Sequence, residues 1–171
     1  MAPHVRPPPR RGQTLRFRGT LFFAQGIPVS PLGGGAQLMV EDLGAGGTAV
    51  FDLTTTTHPI PSASDGACDP GHDGWTTGVR TTIYRNRSTA IDPPTCTAGS
   101  ARGLYELRYR PRSTRDLDFD ARVRHATIGP VTGPLRGTIV LGKDAAAGQS
   151  GACGVSVGLG CSASGSKLRC R

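Results

Sequence analysis

The chain has 171 residues, 25 of them glycine and 14 proline, with 36% hydrophobic and 5% aromatic side chains and a formal charge of +8 from 20 basic and 12 acidic groups. Glycine and proline at that density exclude helical bundles and doubly wound folds and leave a turn-rich all-β body of one domain. No apolar run approaches the ~20 residues that a membrane-spanning helix needs, and no catalytic constellation stands out, so a non-catalytic protein is expected.

Residues 1–13 are rich in proline and arginine and have almost nothing to bury, so they read as a disordered or polyproline-like arm ahead of a single domain over 14–171. The basic excess is nearly all arginine. Arg6, Arg10, Arg11, Arg16 and Arg18 fall in the first 18 residues, which carry no acid. Such a segment is drawn to anionic surfaces, although an arginine-for-lysine bias also follows from a GC-rich genome. Sequence-specific nucleic-acid binding is disfavoured, because the interleaving of basic and aromatic residues that makes a strand-binding platform is missing.

From Thr14 a period of two begins. Leu15, Phe17, Gly19, Leu21 and Phe23 share one face and Arg16, Arg18 and Thr20 the other, with Phe22 the one mismatch, which predicts a half-buried antiparallel strand. Ala36 to Leu43 and Thr48 to Thr54 flank Gly44-Ala45-Gly46-Gly47 and predict a hairpin. After a long loop carrying Cys68, the residues Trp75, Val79, Thr81, Ile83 and Asn86 predict one strand, with Trp75 as a core anchor. Tyr105, Leu107 and Tyr109 alternate with Glu106, Arg108 and Arg110, and Leu117, Phe119, Ala121 and Val123 alternate with Asp118, Asp120, Arg122 and Arg124. Opposite charges on these outward rows pair across strands, so the charged side is expected to be a solvated face rather than a binding site. Leu135, Gly137, Ile139 and Leu141 predict a further strand, and the tail predicts a hairpin of Val155–Leu159 against Lys167–Cys170. About seven to nine short strands, each with one apolar face, predict a two-sheet antiparallel β-sandwich, with a small β-barrel as the alternative.

Five cysteines, Cys68, Cys96, Cys153, Cys161 and Cys170, contain no CxxC pair, and the four histidines lack zinc-site spacing. A disulfide framework is the better reading, with Cys161–Cys170 stapling the terminal hairpin, Cys68–Cys96 closing the long loop and Cys153 left over. Disulfides imply an extracytoplasmic or secreted protein, yet Met1 to Gln13 has no apolar h-region. The expectation is an export signal outside the given start; the alternative is a cytoplasmic protein with reduced thiols. The segments Cys68–Trp75 and Leu135–Gly142, with the run from Gly151 through Cys161 to Arg171, resemble as a general type the small exported all-β proteins of GC-rich bacteria. That resemblance names no family and implies an all-β, disulfide-bearing exported domain to which no activity attaches.

The densest polar loop holds Asp65, Asp69, His72 and Asp73 between glycines. Its oxygens suit Ca²⁺, the one cofactor considered, but the spacing fits no EF-hand, and an exposed turn beside Cys68 is the preferred reading. No serine or cysteine is expected to be an activated nucleophile. Glu41 and Glu106, the only glutamates, make a poor glycosidase pair, and Gly33-Gly34-Gly35 lacks the lysine of a phosphate loop. Asn86-Arg87-Ser88 fits a glycosylation sequon. The expected function is an exported structural or interaction module whose partner is a cell-surface polymer or another exported protein. The alternative is a carbohydrate- or anionic-surface-binding module in which Trp75, Tyr84, Tyr105 or Tyr109 stacks on sugar rings. Period-two arithmetic puts Tyr105 and Tyr109 on the core face with Leu107, against that alternative.

Overall fold

In β1 (Gln13–Phe22) Leu15, Phe17 and Leu21 are buried while Arg16, Arg18 and Thr20 face outward, as the alternation predicts. The structure, a computed structural model, describes residues 13–23, 34–53, 60–62, 73–87, 103–126, 128, 131–142, 153–159, 161–164 and 167–170. The other strands among these residues are β2 (Ala36–Asp42), β3 (Thr48–Asp52), β4 (Gly74–Gly78), β5 (Thr81–Arg85), β6 (Leu104–Pro111), β7 (Asp116–Ala126), β8 (Leu135–Leu141), β9 (Cys153–Leu159), β10 (Cys161–Ser164) and β11 (Lys167–Cys170). One sheet has seven strands in the order β10-β11-β1-β7-β6-β5-β4; the other has four, β3-β2-β8-β9. Every pairing is antiparallel except β1 with β11, which sets the first and last described strands side by side.

The two sheets are open and share a single buried cluster, so the fold is the sandwich and not the barrel. Phe17 of the larger sheet and Gly137 of the smaller mark where they meet. A Cβ on Gly137 would overlap Cζ at the tip of the Phe17 ring, so glycine is what lets the ring approach β8 so closely. Within the larger sheet Phe119 packs on Phe17 at 4.8 Å and covers Gly19, its register partner on β1.

A second close approach ties the β2–β3 turn to the segment before β8. Gly44 and Gly133 pack backbone to backbone, and a Cβ on Gly44 would stand 2.7 Å from the Gly133 Cα. Beside them the buried Asp42 carboxylate accepts hydrogen bonds from the backbone N–H groups of Gly44 (2.9 Å), Thr132 (2.5 Å) and Gly133 (3.0 Å) and from the Thr132 hydroxyl (3.0 Å). These donors, the Thr132 N–H foremost, hold its pKa below the usual value against the opposing effect of burial.

Three expectations change. The strand predicted from Trp75 to Asn86 is a hairpin, β4 and β5, whose turn exposes Val79 and Arg80; these two central residues are neither glycine nor asparagine, so Gly78 just before them is a weak signal for the turn. The tail divides between the sheets: β9 extends the four-stranded sheet, and the terminal hairpin is β10 with β11. These two differences raise the strand number to eleven. A register shift between Leu104 and Glu106 puts Leu104 on the core face and leaves Tyr105 half-buried, with the Arg124 guanidinium 4.1 Å from its ring centre. Asn86 is fully buried, so its sequon is closed to a glycosyltransferase in the folded protein.

Candidate functional site

The outward face of the seven-stranded sheet gathers charge from strands far apart in sequence. One row across it reads Arg169, Arg16, Arg122, Glu106 and Arg85, on β11, β1, β7, β6 and β5. The next row reads Arg18, Asp120 and Arg108, and the third Thr20, Asp118 and Arg110. Strands lie about 4.8 Å apart and rows two residues, about 7 Å, so the Cα positions of these residues form a grid of that pitch. With Arg124 and Asp116 at its two ends, the face presents eight arginines and four carboxylates.

The carboxylates are shared. Glu106, only 5% exposed, lies 3.2 Å from Arg108, 3.5 Å from Arg85 and 3.6 Å from Arg122. Asp120 takes both Arg16 (3.0 Å from Nε) and Arg122 (3.2 Å). Partial burial of Asp120 opposes its charge, but the hydrogen bonds from Arg16 and Arg122 prevail and lower its pKa, while Asp120 raises that of Arg16. Arg18 and Arg110 have no carboxylate within ion-pair distance among the described residues. The Nε groups of Arg108 and Arg122 are buried without a hydrogen-bond partner, so part of their desolvation is not offset within the fold.

The predicted site residues fare differently. Tyr84 is 2% exposed and its ring lies 5.3 Å from that of Trp75, which stacks on buried Tyr109 and donates its indole N–H to the Pro61 carbonyl at 2.6 Å. Trp75 and Tyr84 therefore belong to the core and its margin, and neither forms a solvent-facing stacking platform. Asp73 accepts the backbone N–H of Arg87 at 2.7 Å; Asp65 and Asp69, the other candidate calcium ligands, lie outside the described residues, as do Cys68 and Cys96. Among the described residues no group of three metal-ligating side chains occurs. Cys161 stands directly opposite Cys170 in the β10–β11 register.

Glu41 and Glu106 lie on opposite outer faces of the sandwich. Glu41 forms a two-point ion pair with Arg136, 2.8 Å at each contact, which lowers its pKa. Gly154-Val155-Ser156-Val157-Gly158 matches the pattern of a nucleophile elbow, a match the sequence reading missed. An elbow needs a sharp strand-to-helix turn. Ser156 instead sits mid-strand in β9, paired with Gly137, so the pattern has no elbow to act from. The charged sides of β6 and β7 were read as a solvated face and not as a site; their joining with β1 and β11 into one grid has no local signal. No family model, curated protein or solved structure matches the chain.

Proposed function

We propose that this protein is a non-catalytic module that holds an anionic polymer on the outer face of its seven-stranded sheet, a surface polymer in an extracytoplasmic setting. The observation that carries the reading is the excess of arginine over carboxylate on that face, eight against four. An ion-pair network built for stability would balance its charges; here the buried Glu106 and the half-buried Asp120 hold several guanidiniums in place while Arg18 and Arg110 have no carboxylate partner among the described residues. Guanidinium forks suit planar or tetrahedral oxyanions repeated along a chain. The register of Cys161 opposite Cys170 supports an oxidised staple beside this face, in keeping with export.

The test is retention and calorimetric titration with heparin and dextran sulfate over a range of salt. Wild type binds, and its log K falls with log salt at a slope of about −2 to −4, the release expected for a few neutralised charges. The double variant R18A/R169A, which removes two exposed arginines of the grid, loses about tenfold or more in affinity. A49E/V155E, which changes net charge equally on exposed sites of the smaller sheet, retains binding. Equal losses in both double variants would reduce the attraction to overall charge and sink the assignment of the face.

Glu106 separates stability from binding. Replacing it by glutamine leaves three arginines without their shared carboxylate and lowers stability by about 1–3 kcal/mol, while polymer affinity rises because those guanidiniums become available. Thermal melts and titrations on E106Q check the two signs; a fall in both would make the network purely structural.

A further inference from the structure

Phe22 and the β4–β5 hairpin tip lie at one end of the arginine face and are not explained by the grid. Phe22 is 64% exposed although Leu21 and Phe23 on either side are buried. Its register partner on β7 is Asp116, whose carbonyl accepts the Arg112 N–H at 2.9 Å, so Phe22, Asp116 and Arg112 lie on one line across β1, β7 and the end of β6. At the far end of that line Arg80, Arg110, Pro111 and Arg112 surround an open cleft of about 470 Å³. Arg112 is fixed by Asp118 at 2.8 Å; Arg80 and Arg110 have no carboxylate partner among the described residues. Val79, fully exposed, stands beside Arg80 at the hairpin tip.

We infer that this end of the sheet is a subsite for a short saccharide segment bearing a sulfate or phosphate ester, with one ring against Phe22 and the ester of an adjoining unit in the Arg80–Arg110–Arg112 cleft. The inference rests on the polymer-binding reading and narrows it to esterified saccharides. Three arginines lining one cleft, two of them without a carboxylate partner among the described residues, match a tetrahedral oxyanion with several acceptor oxygens better than they match an isolated carboxylate. An aromatic face two strand spacings away, about 10 Å, supplies the apolar contact that a sugar ring offers and an inorganic ion does not. A nucleic-acid strand fits less well. It needs a succession of stacking platforms, and on this face Phe22 stands alone because Trp75, Tyr84 and Tyr109 are turned inward and Tyr105 lies under Arg124.

The test titrates the full chain with three probes of matched length, a sulfated tetrasaccharide, an ester-free uronic-acid tetrasaccharide and an oligothymidylate, using wild type, F22A and R80A. Both substituted positions are exposed, and circular dichroism with a melt verifies the fold. The subsite predicts about tenfold preference for the sulfated over the ester-free saccharide, with a loss of about fivefold to tenfold for it in each variant. R80A also erodes the preference itself, whereas F22A weakens both saccharides alike. If F22A and R80A bind the sulfated tetrasaccharide as wild type does while R18A/R169A still loses heparin, the subsite is wrong and the polymer-binding face stands. If wild type holds neither polymer nor tetrasaccharide, both fall. An oligothymidylate bound as tightly as the sulfated saccharide overturns the subsite in favour of a single-stranded nucleic acid.

Discussion

Gly137→Ala is expected to lower stability by about 3 kcal/mol, the upper end of the cost of overpacking a core, and Tm by about 6–12 °C for a chain of this size. The added methyl would overlap Cζ at the tip of the Phe17 ring. Phe17 cannot swing aside, because it is fully buried and packed on Phe119 at 4.8 Å. The sheets must then separate at β1 and β8, and every pair between them loses contact. The double variant F17L/G137A makes room for the methyl and recovers part of the loss, although F17L alone is destabilising, so the two substitutions couple favourably. Chemical denaturation of the four proteins completes the cycle. Wild-type stability in the alanine variant, or simple additivity in the double, would mean that the ring does not lie on Gly137.

Asp42→Asn should be the other costly change, with Tm lower by about 10 °C at neutral pH. The carboxylate accepts three backbone N–H groups and one hydroxyl, whereas an amide supplies one oxygen and turns an N–H₂ toward donors. The loss is local at first: faster hydrogen exchange at Thr132, Gly133 and Gly44 should precede global unfolding. The same group predicts the acid limb of stability. Asp42, Glu41 and Asp120 all have folded-state pKa values below their ordinary 3.8, 4.5 and 3.8, so their contribution is complete above those values and disappears as pH falls through the lower folded values. Wild type therefore loses stability below about pH 4, and the gap between wild type and D42N narrows there. A gap that stays constant down to pH 2 would remove Asp42 ionisation from the account.

Much of the fold was legible because strand alternation is local. The buried side of β1, β7 and β8 follows from spacing alone, and so does the glycine-marked β2–β3 hairpin. The errors arose where local signals are weak. The Val79-Arg80 turn has no turn-favouring residue at its two central positions, and the register shift at Tyr105 is a one-residue event that no spacing rule announces. Phe22 looked like a flaw in an alternating strand; its exposure beside Arg112 is what makes it interesting. The nucleophile-elbow pattern around Ser156 shows the opposite hazard, a motif that fits by letters and is emptied by its place inside β9.

By itself the sequence determined an all-β body with one apolar and one charged side to each principal strand, and favoured a sandwich over a barrel, since burial of alternate residues needs only neighbours along the chain. Only the tertiary structure decided which charged sides would meet. Bringing β11, β1, β7, β6 and β5 into that order turned scattered arginines into one face and set Phe22 in line with Arg112. It also decided that Gly137 must be glycine, because its neighbour across the core is a residue 120 positions earlier, Phe17. The physical reason is the same in each case: pairing between strands and contact between sheets depend on the closure of long loops and on the packing of the whole core, neither of which leaves a periodic signal in the chain.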